Sequence, residues 1–202
     1  MKILDFILYN SVKSVGKIIF RFLYKIEIVN EQAIPTKGGI LLAGNHSSWL
    51  DTLFLNYAIK RPLYFVTGDF IFRAPVLGKL VKHMGAIPMT KSEDGDSLGL
   101  ETAIQRLKEG NVLCIFPEGK LSVDGKLGRF RNGVSIIQKE TGAKILPFYL
   151  HGAIDTWSHK QKKIQFFKKI KIEFGEPILP TKEKDSEIAK EIQEKVKELI
   201  NN

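Results

Sequence analysis

With 202 residues, 44% of them hydrophobic and 26% charged, the chain has the size and composition of one folded domain, which excludes a disordered or fibrous chain. Its single cysteine, Cys114, excludes an internal disulfide and a multi-cysteine metal site, and fits a reducing compartment. A net charge of +9, from 31 Lys+Arg against 22 Asp+Glu, points to an anionic partner: nucleic acid, anionic lipid or an acidic carrier protein.

Taken in chain order, residues 1–30 are expected to form an amphipathic, membrane-associating helix ahead of one domain over 31–202. Ile3, Phe6, Ile7, Val12, Ile18, Ile19 and Phe22 supply apolar bulk, while Asn10, Lys13, Ser14, Lys17 and Arg21 recur at helical spacing as a polar, basic stripe. Such a helix suits a lipid interface with its cations near phosphates; packing on the protein's own core is the other reading of the same pattern. No clean apolar stretch ending in small residues marks a cleavable signal. No window reaches the roughly 18 apolar residues that span a bilayer.

From Gly38 onward, apolar runs alternate with helical patterns. Runs 40–43, 63–66, 86–89, 112–116 and 145–150 read as short buried strands, and 169–174 as a late strand alternating Ile170, Ile172 and Phe174 with charge. Segments 49–59, 70–83, 97–109 and 133–141 read as helices, with Gly110 and Gly142 placed to end two of them. The tail from Asp185 carries Ile188, Ile192, Val196 and Leu199 at helical spacing. The fold class is therefore α/β: a single domain with a largely parallel or mixed sheet flanked by helices, plus the amino-terminal interfacial helix. Functional groups are expected on loops at the strand ends.

Two blocks carry chemistry. In Gly44-Asn45-His46-Ser47-Ser48-Trp49-Leu50-Asp51 a strand ends, the chain turns and a helix begins. On a continuous helix residues five apart diverge by about 140°. With His46 in the turn and Asp51 in the first helical turn, the carboxylate folds back on the imidazole, fixing its tautomer and freeing the other nitrogen to take a proton. Ser48-x-x-Asp51 equally reads as a helix capping box. The second block, Phe116-Pro117-Glu118-Gly119-Lys120-Leu121-Ser122, leaves a buried strand and runs on through Lys126, Arg129 and Arg131. Backbone amides freed by Gly119 beside these cations suit a phosphate, and an ordinary basic surface loop reads the same way. Cys114, mid-strand among apolar neighbours, reads as a small core residue rather than a nucleophile. His83, His151 and His159 lack metal-ligand spacing.

Together these blocks resemble the bacterial 1-acyl-sn-glycerol-3-phosphate acyltransferase-like (lysophospholipid acyltransferase) family. Its Asn-His-x4-Asp block is matched by Asn45, His46 and Asp51, and its Phe-Pro-Glu-Gly block by Phe116 to Gly119. Between them Gly85-Ala86-Ile87-Pro88-Met89-Thr90-Lys91 resembles the family's Gly-x-Ile-Pro block, and Leu146-Pro147-Phe148 its last, Pro-containing one. The chain departs from the family in two places. Thr90-Lys91 stands where Asp-Arg is usual, and Lys120-Leu121-Ser122 where Thr-Arg-Ser is usual. Lysine supplies charge without a bidentate fork, and leucine supplies neither.

The resemblance implies an acyltransferase domain over 31–202 that moves a fatty acyl group from acyl-CoA or acyl carrier protein to the sn-2 hydroxyl of 1-acyl-glycerol-3-phosphate. Another lysophospholipid acceptor, such as a lysophosphatidylethanolamine, is the alternative. It implies His46 and Asp51 as catalytic residues, and Lys91, Glu118, Gly119, Lys120, Ser122, Arg129 and Arg131 as substrate-binding ones. No cofactor or metal is called for. The implied partners are a membrane surface with anionic lipid, the acceptor and the donor, with no nucleic acid. The implied location is peripheral, on the cytoplasmic face of the cell membrane. A catalytically silent lipid-binding module is the rival that keeps the fold without the reaction.

Overall fold

A computed structural model of the protein describes residues 14–75, 77–89, 98–161 and 163–201. Residues 14–23 are helical (α1). Strand β1 (Lys25–Val29) follows, then β2 (Ile40–Gly44), α2 (Asp51–Ala58), β3 (Leu63–Gly68), α3 (Leu77–His83) and β4 (Ala86–Met89). The second half comprises α4 (Leu98–Lys108), β5 (Val112–Ile115), α5 (Gly133–Thr141), β6 (Lys144–His151), β7 (Lys169–Phe174) and α6 (Asp185–Glu198).

The strands form one mixed seven-stranded sheet in the order β1-β7-β6-β2-β5-β3-β4. Strands β2 to β6 run parallel; β7 is antiparallel to β6, and β1 is parallel to β7. Helices cover both faces. Alternate residues of β2 therefore enter two separate cores: Ile40 and Leu42 join Phe54, Leu55 and Phe148, while Leu41 and Ala43 join Leu113, Ile137, Ile145 and Ile192. A strand buried on both sides is the physical reason it reads as an unbroken apolar run.

Two local expectations need correction. The segment 70–83 is not one helix. A 3-10 turn, Asp69–Arg73, gives way to extended Ala74 (φ −75°, ψ 124°) before α3. The ring of Pro75 disfavours helical geometry in the residue before it. Residues 25–29, inside the stretch 1–30 expected as a helical unit, form strand β1 and pair with β7 from Lys25↔Lys169 to Val29↔Glu173. Ile26 and Ile28 alternating with Lys25 and Glu27 is the signal of this half-buried edge strand. Helix α6 docks through Ile188, Ala189, Ile192 and Val196, as its spacing predicts. Among the described residues no helix is long and apolar enough to cross a membrane.

Candidate active site

The site forms where β2 and β5, neighbours in the sheet with Ala43 opposite Ile115, release their chains at the same edge. At the end of β2, Gly44 lies against Phe148 of β6: a Cβ there would sit 2.3 Å from the Phe148 carbonyl oxygen, so no larger residue fits. Asn45 then clamps the exit. Its Oδ1 accepts the Leu150 N–H at 2.8 Å, and its Nδ2 donates to the Leu150 carbonyl at 3.3 Å. This reciprocal pair fixes where the next residue, His46, leaves the sheet.

His46 Nδ1 lies 2.8 Å from Asp51 Oδ2. The same oxygen accepts the backbone N–H groups of Ser47 at 2.7 Å and Ser48 at 2.9 Å. An oxygen that accepts two amides at these distances is an acceptor in the third contact too, so Nδ1 carries the proton and Nε2 the lone pair. The carboxylate ties the turn to the first residue of α2 and also orients the imidazole, but the Ser48-x-x-Asp51 capping box does not form: the N-cap is Leu50, and the Ser48 hydroxyl accepts the Leu50 N–H instead of that of Asp51. Asp51 is fully buried. The ring of His46 stacks on Phe116, centroids 4.1 Å apart and planes 15° from parallel. Its side chain is 21% exposed, and Nε2 has no partner among the described residues. The result is a rotationally fixed imidazole offering one basic nitrogen.

The loop after β5 holds the backbone of the same histidine. Glu118, itself buried, accepts the His46 N–H through Oε1 at 2.9 Å and the Gly128 N–H through Oε2 at 2.8 Å. Burial raises the Glu118 pKa, and the two amide hydrogen bonds oppose that rise. The Ser122 N–H donates to the His46 carbonyl at 2.7 Å, so both backbone groups of His46 are tied to this loop. The Ser122 hydroxyl is engaged within the loop, donating to the Lys126 carbonyl and accepting the Gly125 N–H.

Gly119 has φ +68°, a left-handed conformation that favours glycine. The Arg131 guanidinium lies over it, Cζ 2.9 Å from where a Cβ would stand. Lys120, Arg129 and Arg131 are exposed, and none forms an ion pair with a described residue. Leu121, by contrast, is buried. The site thus joins a histidine base to a cationic rim. Lys91 lies outside the described residues. Burial, with the Asp51 charge second, pushes the Cys114 thiol well above its ordinary pKa, which removes it as a nucleophile. His83 contacts the Lys79 carbonyl, His151 the carboxylate of Glu173, and His159 the ring of Trp49.

The sequence of the family described as Acyltransferase matches residues 25–151, from the first residue of β1 to the last of β6. The chain belongs to the acyltransferase family. This acyltransferase is 26% identical over 203 residues to the 1-acyl-sn-glycerol-3-phosphate acyltransferase of Bacillus subtilis (strain 168), covering 96% of this chain and 98% of that one. It is 29% identical over 131 residues to a chloroplastic 1-acyl-sn-glycerol-3-phosphate acyltransferase of Arabidopsis thaliana, covering 64% of this chain and 36% of that longer protein. The crystal structure of the 1-acyl-sn-glycerophosphate (LPA) acyltransferase PlsC from Thermotoga maritima matches with a TM-score of 0.80 over 98% of this chain and 80% of that one. At 21% identity that likeness speaks for the fold of the acyltransferase.

What sequence reasoning missed is the linkage between the two blocks. The resemblance implies a substrate-binding role for Glu118; in the structure its two oxygens hold the His46 turn and the Gly128 loop. No local signal in the sequence announces that contact, because it depends on β2 and β5 being neighbours.

Proposed function

We propose that this acyltransferase transfers a fatty acyl group from a thioester, acyl-CoA or acyl carrier protein, to the sn-2 hydroxyl of 1-acyl-glycerol-3-phosphate, giving phosphatidic acid. The observation that carries the proposal is the His46–Asp51 pair at 2.8 Å, with Nε2 unpartnered among the described residues, beside a cationic rim. His46 Nε2 takes the hydroxyl proton as the oxygen attacks the thioester carbonyl, and Asp51 steadies the imidazolium. Collapse of the tetrahedral intermediate breaks the C–S bond, and His46 returns the proton to the departing sulfur. Transfer is read as direct, without a covalent acyl-enzyme, as the family resemblance implies; the burial of Cys114 is in keeping with that reading.

The acceptor's phosphate is assigned to Arg131, Arg129, Lys120 and Lys91, and loop amides or one of these cations stabilise the oxyanion. A second acceptor, a lysophospholipid with a larger headgroup, is favoured by one observation: Leu121 is buried where the family resembled carries an arginine. Helix α1 exposes Val15, Ile18, Ile19 and Phe22, which supports its lying in the lipid interface; the cytoplasmic face is what the family resemblance implies.

The test is transfer of labelled acyl groups from both donors to a lysophospholipid panel, with His46→Ala alongside. Product with lysophosphatidic acid, lost in the variant, is the expected result. Product only with larger headgroups changes the acceptor and keeps the mechanism. No product with any pair would make the chain a silent lipid-binding module.

A further inference from the structure

The loop between the 3-10 turn Ala153–Asp155 and β7 has a composition unlike the rest of the chain. Between Asp155 and Glu173 there is no acidic residue, while Lys160, Lys162, Lys163, Lys168, Lys169 and Lys171 all fall in that interval. Lys160, Lys163, Lys168 and Lys169 are exposed. Among them stand two consecutive aromatics in solvent, Phe166 at 45% and Phe167 at 74% exposure.

The backbone makes this exposure unexpected. Phe167 has φ +61°, a left-handed conformation that disfavours bulky side chains, and is one of two non-glycine residues with positive φ among those described, the other being Asn30. Asparagine or glycine relieves such a position; phenylalanine does not. Its N–H donates to the Leu23 carbonyl at the end of α1 at 2.6 Å, and the next peptide is held by the Lys25 N–H donating to the Lys168 carbonyl at 3.0 Å. Phe166 lies 6.2 Å, ring to ring, from Tyr24. The loop tip is thereby fixed beside the last turn of α1, where Phe22 is 76% exposed. A strained conformation kept for a side chain that is 74% exposed and whose ring contact is with its neighbour Phe166, 6.5 Å away, points to a contact outside the protein.

We propose that Phe166 and Phe167, with the surrounding lysines, form a second membrane-docking element that inserts beside α1 into the surface of an anionic bilayer. Exposed aromatics flanked by cations and free of carboxylates match that surface: rings enter the acyl boundary while ammonium groups meet lipid phosphates. The loop joins the site, since the Trp49 N–H donates to the Trp157 carbonyl at 2.9 Å and the Gln165 N–H to the Thr156 carbonyl at 2.7 Å. Docking here sets the orientation of His46 relative to the lipid more firmly than α1 alone, because a second contact away from the helix axis resists tilting of the domain about that helix. This deepens the acyl-transfer reading, yet binding is measurable without turnover.

The experiment is co-sedimentation of the full chain with phosphatidylcholine vesicles, with and without phosphatidylglycerol, containing no substrate. Phe167→Gly removes the ring at a position glycine prefers, so its melting temperature should hold or rise while partitioning onto phosphatidylglycerol vesicles falls about tenfold or more. The double change Lys163→Glu and Lys168→Glu should weaken the preference for phosphatidylglycerol and lessen the sensitivity of binding to salt, with the cations of α1 and the remaining lysines supplying the rest. Unchanged vesicle binding by Phe167→Gly overturns the proposal. Retained vesicle binding with selective loss of turnover from acyl carrier protein would also overturn it, in favour of docking an acidic protein. Vesicle binding by the wild-type chain with no acyl transfer to any acceptor would count against the reaction and not against this surface, provided that Phe167→Gly still lowers that binding.

Discussion

The N–H of His46 donates to Oε1 of Glu118 at 2.9 Å across 72 residues of sequence. Because the other Glu118 oxygen accepts the Gly128 N–H, one buried carboxylate joins the histidine turn to the cationic loop. Changing Glu118 to Gln replaces one acceptor oxygen with a donor NH2, so one of the two amides loses its partner. Turnover is expected to fall roughly tenfold to a hundredfold by displacement of His46, with stability lowered by about 1–3 kcal/mol. Steady-state kinetics and denaturant unfolding of Glu118→Gln check both; full activity with an unchanged midpoint would remove Glu118 from the support of His46.

The Asp51 contacts separate a chemical role from a structural one. His46→Ala removes the base and should cut turnover by about 10²–10⁴-fold while the fold persists. Asp51→Ala should lose activity and also stability, by about 1–3 kcal/mol, because the Ser47 and Ser48 amides lose a buried acceptor. Asp51→Asn can keep an acceptor oxygen without the charge, so it is expected to retain more stability than Asp51→Ala and little of the activity. Melting temperatures paired with kcat for the three variants distinguish these outcomes; equal stability of Asp51→Ala and wild type would contradict the hydrogen bonding described.

Arg131 is the cation placed over Gly119. Arg131→Leu should raise KM for a phosphate-bearing acceptor about tenfold with a smaller change in kcat, and Arg131→Lys should restore only part of it. Saturation curves across the lysophospholipid panel read this directly. An unaltered KM for every acceptor would move the phosphate to Lys120 or Arg129.

On the far side of β6, His151 Nε2 lies 3.1 Å from Glu173 Oε2, which also pairs with Lys171 at 2.8 Å. Burial first, and then the Lys171 charge, lower the His151 pKa below its ordinary 6.5, against the opposing pull of Glu173. The folded state therefore binds this proton more weakly than the unfolded chain, and stability should fall as pH drops through 6.5 toward the lower folded value. Unfolding midpoints at stepped pH should show that slope in wild type and a shallower one in His151→Gln. Identical slopes would remove His151 as its source.

Much of the architecture is written in short-range patterns. The apolar runs of β2, β5 and β6, the alternation of β7 and the spacing of α6 each reflect local periodicity against a buried face, and each element stands close to where its pattern puts it. Contact between His46 and Asp51 is legible for the same reason, because a turn and the first residue of a helix lie within five positions. The break before α3 was available from Pro75, whose ring acts only on its immediate neighbour. Strand β1 was obscured because its four alternating residues follow directly on a helical apolar pattern, and an edge strand buries too little to stand out.

Tertiary structure alone decided the rest. That β5 lies beside β2, that β7 turns antiparallel and carries β1 at the edge, and that Glu118 meets His46 are facts about segments tens of residues apart. Such pairings are selected by which arrangement buries both faces of the sheet at once, a property of the whole chain that no window of sequence contains.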